Sequence, residues 1–505
     1  MWNTHDLSSP DHLLRALRDL RHDVNAEAGE LYARWRPQIR RRAFCIGAFN
    51  MACYLALRQR DLRPLQSALM PWGLSSLGRS EARVLPNLDA VIATLEKVTD
   101  PASNPDHPRL SAFFRGQRML DYHTDRLFGS ASAALKPRRV RIMVTFPSTA
   151  ADDYDFVRDL MRRGMDCARI NCAHDTPQVW GAMVANVRRA AAEVGRQCTI
   201  LMDLGGPKSR TADISDDKVR LQPGDRFLLT KEAISKPGDD FKLAVRCALP
   251  EVFEQIAVGQ SVWIDDGKLG AVIEQLLPEG AALRVIHARD KGERLKPEKG
   301  LNFPDTDLRL DPLTEDDLAA LDFAAHNADM IGYSFVQEAR DIEHLQAELR
   351  ARLGENWRRI AIIGKIETRR AIANLPELIV SAAGKQPFGV MIARGDLGVE
   401  VGYERMAEIQ EELLWLCEAA HIPVIWATEV LERFVSKGTP SRSEMTDAAM
   451  SVRAECVMLN KGEYQAEAVT ILDNVLTRMQ EHQTKKTPQL RALKAWQEVV
   501  GGNGV

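Results

Sequence analysis

Residues 388–397 read FGVMIARGDL, and residues 359–367 read RIAIIGKIE. In each stretch an apolar run predicts a buried strand, and the polar residues at its end predict the beginning of a loop. In a parallel α/β barrel the loops after the strands converge on one face, where catalytic groups lie. The two stretches therefore predict that two carboxylates and a lysine gather at the ends of successive strands.

Stretches of this type recur between residues 138 and 460, and helical periods separate them. The predicted strands begin near Val140, Asp166, Cys198, Ala328, Arg359, Phe388, Pro423 and Glu455. Eight alternating strand–helix units predict the α/β class and a closed (β/α)8 barrel. The interval from 198 to 328 is about 100 residues longer than the others, which is enough for an inserted domain.

The insertion, residues 212–297, has a different pattern from the barrel. Its short β-type pieces are separated by Pro-Gly, Asp-Gly and Glu-Gly turns. The predicted strands are 219–221, 227–230, 261–264 and 283–286. We interpret the insertion as a small β-barrel or sandwich that lies over the catalytic face as a lid.

Residues 1–135 predict a separate all-α region. Ser9-Pro10 forms an N-cap and first-turn pair, and a later helix is predicted to begin near Ser76 or Ser80. The predicted division is then an N-terminal helical region (1–135), a first barrel part (136–211), the lid (212–297), a second barrel part (298–482) and a tail (483–505).

Composition excludes several classes of partner. The net charge of −3 over 505 residues gives no general attraction to nucleic acid or to an anionic membrane. A helix–turn–helix over 74–80 is therefore a weaker interpretation than a plain helical turn. The apolar stretch 43–57 is too short to span a bilayer and predicts a half-buried helix, although the basic 40–42 before it could touch a membrane surface. No signal peptide opens the chain, and the eight scattered cysteines lack Cys-x-x-Cys spacing, so we expect a cytoplasmic protein.

The Gly-Lys-Ile-Glu of 364–367 and the Ala-Arg-Gly-Asp-Leu-Gly of 393–398 resemble the pyruvate kinase family, and the resemblance covers about 138–482. It implies a glycolytic kinase that transfers phosphate from phosphoenolpyruvate to ADP, giving pyruvate and ATP. It also implies a Mg²⁺ or Mn²⁺ cofactor and a homo-oligomer in the cytoplasm, without nucleic-acid or membrane partners.

The resemblance also implies roles for individual residues. Glu367 and Asp396 hold the metal, and Lys365 neutralises charge on the transferred phosphoryl group and on the enolate. The substrate-binding set is Arg169, Ser334, Lys365, Gly395, Asp396 and Thr428, of which Arg169, Lys365 and Thr428 are the catalytic candidates. The nucleotide-binding set is Asn171, His174, Arg210 and Lys299. Two structural alternatives remain: an ion pair for Arg169, and a salt-bridge cluster for the two acids and the lysine.

The third strand loop departs from the family pattern. Many pyruvate kinases bind an activating potassium ion with oxygen ligands at positions where this chain has Ala173 and Leu204. Lys208 replaces an acid in the same loop, as in relatives that work without potassium. The resemblance therefore implies that the Lys208 ammonium substitutes for potassium. Gly205, Glu429 and the pair 460–461 also depart from the pattern, with no assigned effect.

The 45 residues after Asn460 suffice for one helix, 465–481, and a tail. We therefore expect the effector-binding C-terminal domain of typical relatives to be missing, and with it sugar-phosphate control. Two alternatives to the favoured function remain. The same metal and enolate chemistry could serve a different phosphoryl acceptor, or the barrel could be a non-catalytic metabolite sensor or scaffold.

Overall fold

The computed structural model describes residue 7 and residues 9–74, 76–130, 138–233 and 237–489. The predicted boundary at 135/136 and the greater part of the predicted tail lie outside the described residues.

Eight parallel strands close into a barrel, as the sequence predicts. They are β1 (Arg141–Thr145), β2 (Cys167–Asn171), β3 (Thr199–Asp203), β11 (Met330–Tyr333), β12 (Ala361–Ile366), β13 (Phe388–Ala393), β14 (Val424–Ala427) and β15 (Cys456–Leu459). Each strand lies beside the next in this order, and β15 pairs with β1. Most of their residues are buried, because side chains fill the barrel and helices cover its outside.

The helices outside the barrel follow the strands in sequence. They are α7 (Tyr154–Arg163), α8 (Pro177–Val194), α9 (Glu315–Asn327), α10 (Ala339–Leu353), α11 (Arg369–Ala373), α12 (Leu375–Ala383), α13 (Arg394–Val401), α14 (Tyr403–Ala420), α15 (Glu432–Lys437), α16 (Arg442–Met450) and α17 (Gln465–Met479). The last of these is the helix predicted for 465–481, and it is the one helix after Asn460 among the described residues.

The insertion forms a seven-stranded sheet with its own hydrophobic core. Its strands are β4 (Thr211–Ile214), β5 (Arg226–Thr230), β6 (Ala244–Cys247), β7 (Ser261–Ile264), β8 (Leu269–Leu277), β9 (Gly280–His287) and β10 (Leu301–Asn302). An antiparallel bridge between Arg210 and Gly300 joins the two outer strands, so the sheet closes as a small barrel. The strand predicted at 219–221 is wrong, because only Leu221 makes a bridge, to Glu293.

Six helices precede the barrel among the described residues. They are α1 (Pro10–Trp35), α2 (Arg42–Arg58), α3 (Arg63–Leu69), α4 (Val84–Thr99), α5 (Leu110–Phe113) and α6 (Arg115–Phe128). The Ser9 side chain caps α1 as predicted, and α2 is the helix predicted for 43–57. The helix predicted to begin near Ser76 or Ser80 begins later, at Val84: Ser76 starts a short 3-10 turn, and Ser80 precedes a second one.

These helices are not a separate body, because they share one continuous hydrophobic core with the barrel. Helix α2 packs on α14, and the buried Asn50 amide donates to the carbonyl oxygens of Glu81 and Ala419. Leu127 and Phe128, at the end of α6, belong to a buried cluster that contains inward-facing residues of all eight barrel strands. Helix α6 therefore closes the barrel at the end opposite the strand-end loops.

The described chain ends in a short hairpin, β16 (Gln483–Thr484) and β17 (Thr487–Pro488). Its Lys485 forms a buried ion pair with Glu455 at 2.5 Å, and Lys486 contacts Glu81 of the N-terminal region. The hairpin thus joins the first and last described parts of the chain. None of the described helices is long and apolar enough to cross a membrane.

Candidate active site

The predicted substrate residues come from different barrel strands and meet at the carboxyl ends of those strands. Arg169 lies in β2 and Lys365 in β12, whereas Ser334 and Thr428 directly follow β11 and β14. Asp396 lies in the first turn of α13, after β13. This is the face of a parallel barrel on which enzymes place their chemistry.

The Lys365 ammonium lies among these groups. Its Nζ donates to Ser334 Oγ at 2.6 Å and lies 3.2 Å from Glu367 Oε1 and 3.6 Å from Asp203 Oδ2. Burial lowers the pKa of Lys365, but the nearby carboxylates of Asp203 and Glu367 outweigh it and raise the pKa overall. Ser334 donates its own proton to the Leu204 carbonyl at 2.7 Å, which leaves its lone pairs for the ammonium. The lysine is therefore held as a cation.

Asp203 is part of the site, although it was not among the predicted site residues. Its Oδ2 accepts from Arg169 Nε at 2.8 Å and Nη2 at 2.5 Å. Burial raises the pKa of Asp203, but Lys365 and Arg169 outweigh it, so the pKa lies below its ordinary value. The other oxygen, Oδ1, has no hydrogen-bond partner and faces Gly332, where a Cβ would come within 2.3 Å. The sequence contained a signal that could have predicted Asp203 as a site residue: it ends a buried strand, and the two predicted acids follow buried strands.

Arg169 thus has the ion-pair partner that the structural alternative requires. Its Nη1 also donates to Thr145 Oγ1 at 3.1 Å, so the guanidinium is fixed across the ends of β1, β2 and β3. A guanidinium fixed in this way is pre-organised for a bidentate contact with phosphate oxygens.

Glu367 and Asp396 form a pair of carboxylates at the edge of the cleft. Burial, and next the negative charge of Asp396, raise the pKa of Glu367, although Lys365 opposes both. Glu367 Oε2 also accepts from the Phe335 amide at 2.6 Å. Two mutually repelling carboxylates in a buried place are stabilised by a cation between them.

The structure places the Lys208 ammonium on Asp396. Its Nζ lies 2.8 Å from Oδ1 and 2.9 Å from Oδ2, and the Asn302 amide reaches Oδ1 at 3.4 Å. Among the described residues, no three His, Cys, Asp or Glu side chains converge as a metal-binding group. Mg²⁺ in phosphoryl-transfer sites commonly uses only one or two carboxylates, together with water and substrate oxygens. Glu367 and Asp396 fit such an ion.

The loop after β14 has a strained backbone. Thr428, Glu429 and Leu431 have φ values of 63°, 57° and 52°, and each such residue costs about 1–3 kcal/mol. Thr428 Oγ1 accepts from the Gly395 amide at 2.9 Å and donates to the Ala427 carbonyl at 2.8 Å. The loop thereby turns a threonine hydroxyl and a backbone amide toward each other.

Arg394 holds this loop in place. Its guanidinium donates to the Ala427 and Thr428 carbonyl oxygens at 2.9 and 2.5 Å and forms an ion pair with Asp447. It also lies over the Trp426 ring, with Cζ 4.9 Å from the centroid. These contacts fix the loop that carries Thr428, so the structure gives Arg394 a positioning role for that loop.

The predicted nucleotide residues are less closely gathered: Asn171 and His174 lie at the end of β2, whereas Arg210 and Lys299 lie where the lid joins the barrel. Lys299 lies 3.1 Å from Asp265, and Arg210 lies 3.5 Å from Glu298. Burial, and next the positive charges of Lys461 and Arg210, lower the pKa of His174. The side-chain oxygen of Asn171, Oδ1, accepts a hydrogen bond from the Ala173 amide at 3.2 Å.

Two glycines shape the loop after β3. The amides of Gly205 and Gly206 both donate to the Asp317 carboxylate, at 2.8 and 3.1 Å. Gly206 has a φ of 67°, and a Cβ there would lie 2.7 Å from the Ser334 Cβ. The glycine pair therefore lets this loop approach Ser334, and with it the hydrogen bond between Ser334 and Lys365, closely.

Two cavities flank the loop. One, of about 200 Å³, lies between lid and barrel and is lined by Asn302, Asp396 and Glu400 among others. Burial, opposed by Arg369, raises the pKa of Glu400 to about 7. The other, of about 430 Å³, is lined by Ala173, Gly205 and Arg210 among others.

The lid touches the barrel beside the first cavity. The Tyr403 hydroxyl of α14 donates to the Asp266 carbonyl at 2.9 Å, at the tip of the β7–β8 hairpin. Asp265, Asp266 and Gly267 all have positive φ, so the Asp-Gly pair here lies in a tight turn, as predicted for the Asp-Gly pairs of the insertion.

Residues 137–469 match the family model described as "Pyruvate kinase, barrel domain". The chain belongs to the pyruvate kinase family. Among curated pyruvate kinases, it is 33% identical to pyruvate kinase 2 of Trypanosoma brucei brucei over 373 residues, which is 72% of this chain and 71% of the relative. It is 31% identical to pyruvate kinase PKLR of Rattus norvegicus over 381 residues, covering 71% of this chain and 64% of the relative.

The pyruvate kinase of Geobacillus stearothermophilus is 30% identical over 351 residues, which is 68% of this chain and 57% of that protein. The matched family region begins just before β1 and ends within α17. It therefore contains the barrel strands, the lid and all the strand-end groups described above, whereas helices α1–α6 lie before it. Membership in the pyruvate kinase family makes the chain a kinase of the phosphotransferase class.

Proposed function

We propose that this chain transfers the phosphoryl group of phosphoenolpyruvate to ADP, giving pyruvate and ATP, with Mg²⁺ or Mn²⁺ and without potassium. The observation that carries the proposal is the buried Lys365 ammonium, fixed by Ser334 between Asp203 and the Glu367–Asp396 pair. A fixed cation in a water-poor cleft can stabilise charge that develops during phosphoryl transfer.

Lys365 and Arg169 handle the phosphoryl group in this proposal. Asp203 and Glu367 raise the pKa of Lys365 against the opposing effect of burial, so the ammonium is the form that meets the phosphoryl group. Arg169 keeps its contact with Asp203 and turns its outer edge to the phosphate oxygens. Both cations are positioned before the substrate arrives, so little reorganisation is needed during the reaction.

Glu367 and Asp396 hold the divalent cation. When bound, it neutralises negative charge on the enol phosphate and polarises the substrate oxygens. The raised pKa of Glu367, which arises from burial and then from Asp396, supports a bound cation, because the cation would relieve the repulsion between the acids.

In this proposal the loops after β13 and β14 bind the substrate carboxylate and deliver the proton that converts enolpyruvate to pyruvate. The Gly395 amide now donates to Thr428 Oγ1, and in this proposal it turns to the carboxylate, as amides in the first turn of a helix do for anions. Asp396 takes part here through its amide. The Thr428 hydroxyl contacts the carboxylate and relays a proton to the enolpyruvate carbon.

The nucleotide phosphates bind on the lid side. Asn171, His174, Arg210 and Lys299 are the proposed contacts. Lys299 and Arg210 each face a lid carboxylate, Asp265 and Glu298, and they exchange these partners for phosphate oxygens when ADP enters.

Potassium independence rests on missing ligands. Ala173 and Leu204 have no side-chain oxygen, and one of the two oxygens of Asp203 is already held by Lys365 and Arg169. A monovalent cation would lack the oxygen shell that it needs here. Lys208 supplies positive charge from the same loop.

We place the protein in the cytoplasm and expect it to be a homo-oligomer. All eight cysteines are unpaired, which supports a reducing compartment. The oligomer is an expectation from the family resemblance alone.

Phosphorus-31 NMR of phosphoenolpyruvate, ADP and Mg²⁺ with the protein tests the proposal. The expected result is loss of the enol-phosphate signal with matching growth of the ATP γ-phosphate signal. Lys365→Met should abolish this conversion while leaving the fold intact. The matched control is Lys385→Met, since Lys385 pairs with Glu343 on the surface at 3.3 Å.

The same spectra separate the alternatives. Metal-dependent binding of phosphoenolpyruvate without transfer to ADP contradicts the proposal and points to another acceptor or to a sensor. The altered loop around Gly205 and its cavity of about 430 Å³ are where a different acceptor would be accommodated.

A further inference from the structure

The loop between β3 and β4 holds a lysine on one of the two carboxylates assigned to the metal. Lys208 Nζ contacts both oxygens of Asp396, at 2.8 and 2.9 Å, and its side chain is only 25% exposed. An ammonium and a divalent cation cannot both occupy the space directly in front of one carboxylate. Metal binding at Asp396 therefore requires this lysine to leave.

The position of Lys208 is prepared by the lid. A Cβ at Gly300 would lie 3.1 Å from Cε and 3.6 Å from Nζ of Lys208, so the absence of a side chain at Gly300 makes room for the lysine stem. The Asn302 amide, two residues later, reaches the same Asp396 carboxylate at 3.4 Å. The lid strand that returns to the barrel thus forms one wall of the Lys208 position.

A second position is available to the Lys208 ammonium. It lines both the lid–barrel cavity that contains Asp396 and the neighbouring cavity that contains Ala173, Gly205 and Arg210. Among the described residues it is the one residue that lines both cavities. The lysine stem is flexible, so rotation of its bonds is the route by which the ammonium would pass from one cavity to the other.

We propose that Lys208 is the built-in counter-ion of Asp396, which a divalent cation displaces, and that the displaced ammonium moves to the cavity beside Ala173 and Arg210. This inference rests on the proposed function, because it assumes that Asp396 is a metal ligand. The same lysine then neutralises Asp396 before the metal binds, and afterwards it adds positive charge to the cavity beside Ala173 and Arg210. It also keeps Asp396 from being an uncompensated acid in the metal-free protein, whereas Glu367 is paired with Lys365.

The exchange has a measurable consequence for metal affinity. If the lysine occupies Asp396 most of the time, the apparent affinity for the metal is reduced by the small fraction of molecules in which Asp396 is free. Lys208→Met removes the competitor, so Mn²⁺ should bind at least fivefold more tightly. Gly300→Ala crowds the lysine stem without changing any charge, so it should also tighten Mn²⁺ binding, by about twofold or more.

The test is titration of the metal-free full-length protein with Mn²⁺, with free Mn²⁺ measured by its electron paramagnetic resonance signal. Lys242→Met is the matched control, because it removes one positive charge from a lid ion pair with Asp225 and should leave the affinity unchanged. A second readout is thermal unfolding. Lys208→Met should melt at a lower temperature than the wild type without metal and should gain more on addition of Mn²⁺.

Each outcome decides between the claims. Equal Mn²⁺ affinity in wild type and Lys208→Met overturns the exchange and leaves the metal assignment standing. If Mn²⁺ binds more tightly to Lys208→Met but not to Gly300→Ala, the gain in affinity comes from the loss of a positive charge acting at long range. This result also overturns the exchange. Absence of Mn²⁺ binding in the wild type and in Lys208→Met overturns both the exchange and the metal site of the proposed function.

Discussion

The ammonium group of Lys365 lies 2.6 Å from the hydroxyl oxygen of Ser334, and this hydrogen bond joins the ends of two neighbouring barrel strands. Ser334 is fully buried and donates in turn to the Leu204 carbonyl at 2.7 Å. The lysine is thus oriented by a chain of hydrogen bonds that begins in the loop after β3.

Ser334→Ala should slow turnover without abolishing it. The variant loses a hydrogen bond to a charged group, worth about 1.5–3 kcal/mol, so kcat should fall by about 10- to 100-fold. The KM for phosphoenolpyruvate should change much less, because Arg169 and the metal ligands remain. Steady-state kinetics measures both quantities.

Ser451→Ala is the control for this change. Ser451 is equally buried and donates to the Ala448 carbonyl at 2.7 Å, a hydrogen bond in which no proposed site residue takes part. It should lose comparable stability and keep full kcat. Equal kcat in wild type and Ser334→Ala would show that Ser334 does not orient the lysine.

Glu418 should make stability depend on pH. Burial, and next Glu81 and Glu455, raise the pKa of Glu418 to about 7 against the opposing effect of Lys485. Since the folded protein binds this proton more tightly than the unfolded chain, the contribution of Glu418 to stability is lost as pH rises from about 5 through 7.

Glu418→Gln should therefore be more stable than the wild type at pH 8, by about 1–3 kcal/mol, and nearly equal to it at pH 5. Thermal unfolding at both pH values measures the difference. A constant difference between the two proteins across this range would mean that Glu418 is ionised with an ordinary pKa.

Phe128→Ala should destabilise the protein strongly. Phe128 is 1% exposed and belongs to the cluster inside the barrel, so its loss leaves a cavity that costs about 3–5 kcal/mol. Phe114→Ala, at a position that is 44% exposed, is the control and should cost little. A small loss in Phe128→Ala, measured by thermal unfolding, would show that α6 does not support the barrel.

Deletion of residues 1–135 extends this test to the whole helical region. Because α1–α6 share the barrel core, the truncated chain should be insoluble or should unfold at a much lower temperature. A soluble truncated enzyme with unchanged activity, thermal stability and oligomeric state would show that these helices neither stabilise the barrel nor hold subunits together.

Omission of potassium should lower the rate by less than about tenfold. Ala173 and Leu204 supply no side-chain oxygen to a monovalent cation. Initial rates in tetramethylammonium buffer, with and without added potassium at constant ionic strength, measure the effect. A larger loss would mean that potassium binds through ligands other than these.

The barrel could be predicted from the sequence because all eight of its strands are apolar runs that end in polar loops. The strands of the lid were harder to predict, since no regular alternation with helices marks where they begin and end. Residues 219–221 have the composition of a strand, yet only Leu221 makes a bridge. Strand composition shows that residues can pair, whereas actual pairing depends on tertiary position.

The site could be predicted in part. Ser334 and Lys365 follow from strand ends and meet as expected. The partners of Asp203 and of Lys208 could not be predicted, because they depend on where long side chains reach across different loops. Likewise, the sequence of α6 shows an apolar end, but it does not show that Phe128 would enter the barrel.

Pyruvate release from phosphoenolpyruvate with Mg²⁺ in potassium-free buffer, compared with and without ADP, tests the proposed function most directly. The account predicts steady pyruvate formation that requires both ADP and Mg²⁺ and is lost in Lys365→Met. Absence of ADP-dependent pyruvate formation by the wild-type protein, with or without potassium, would contradict it.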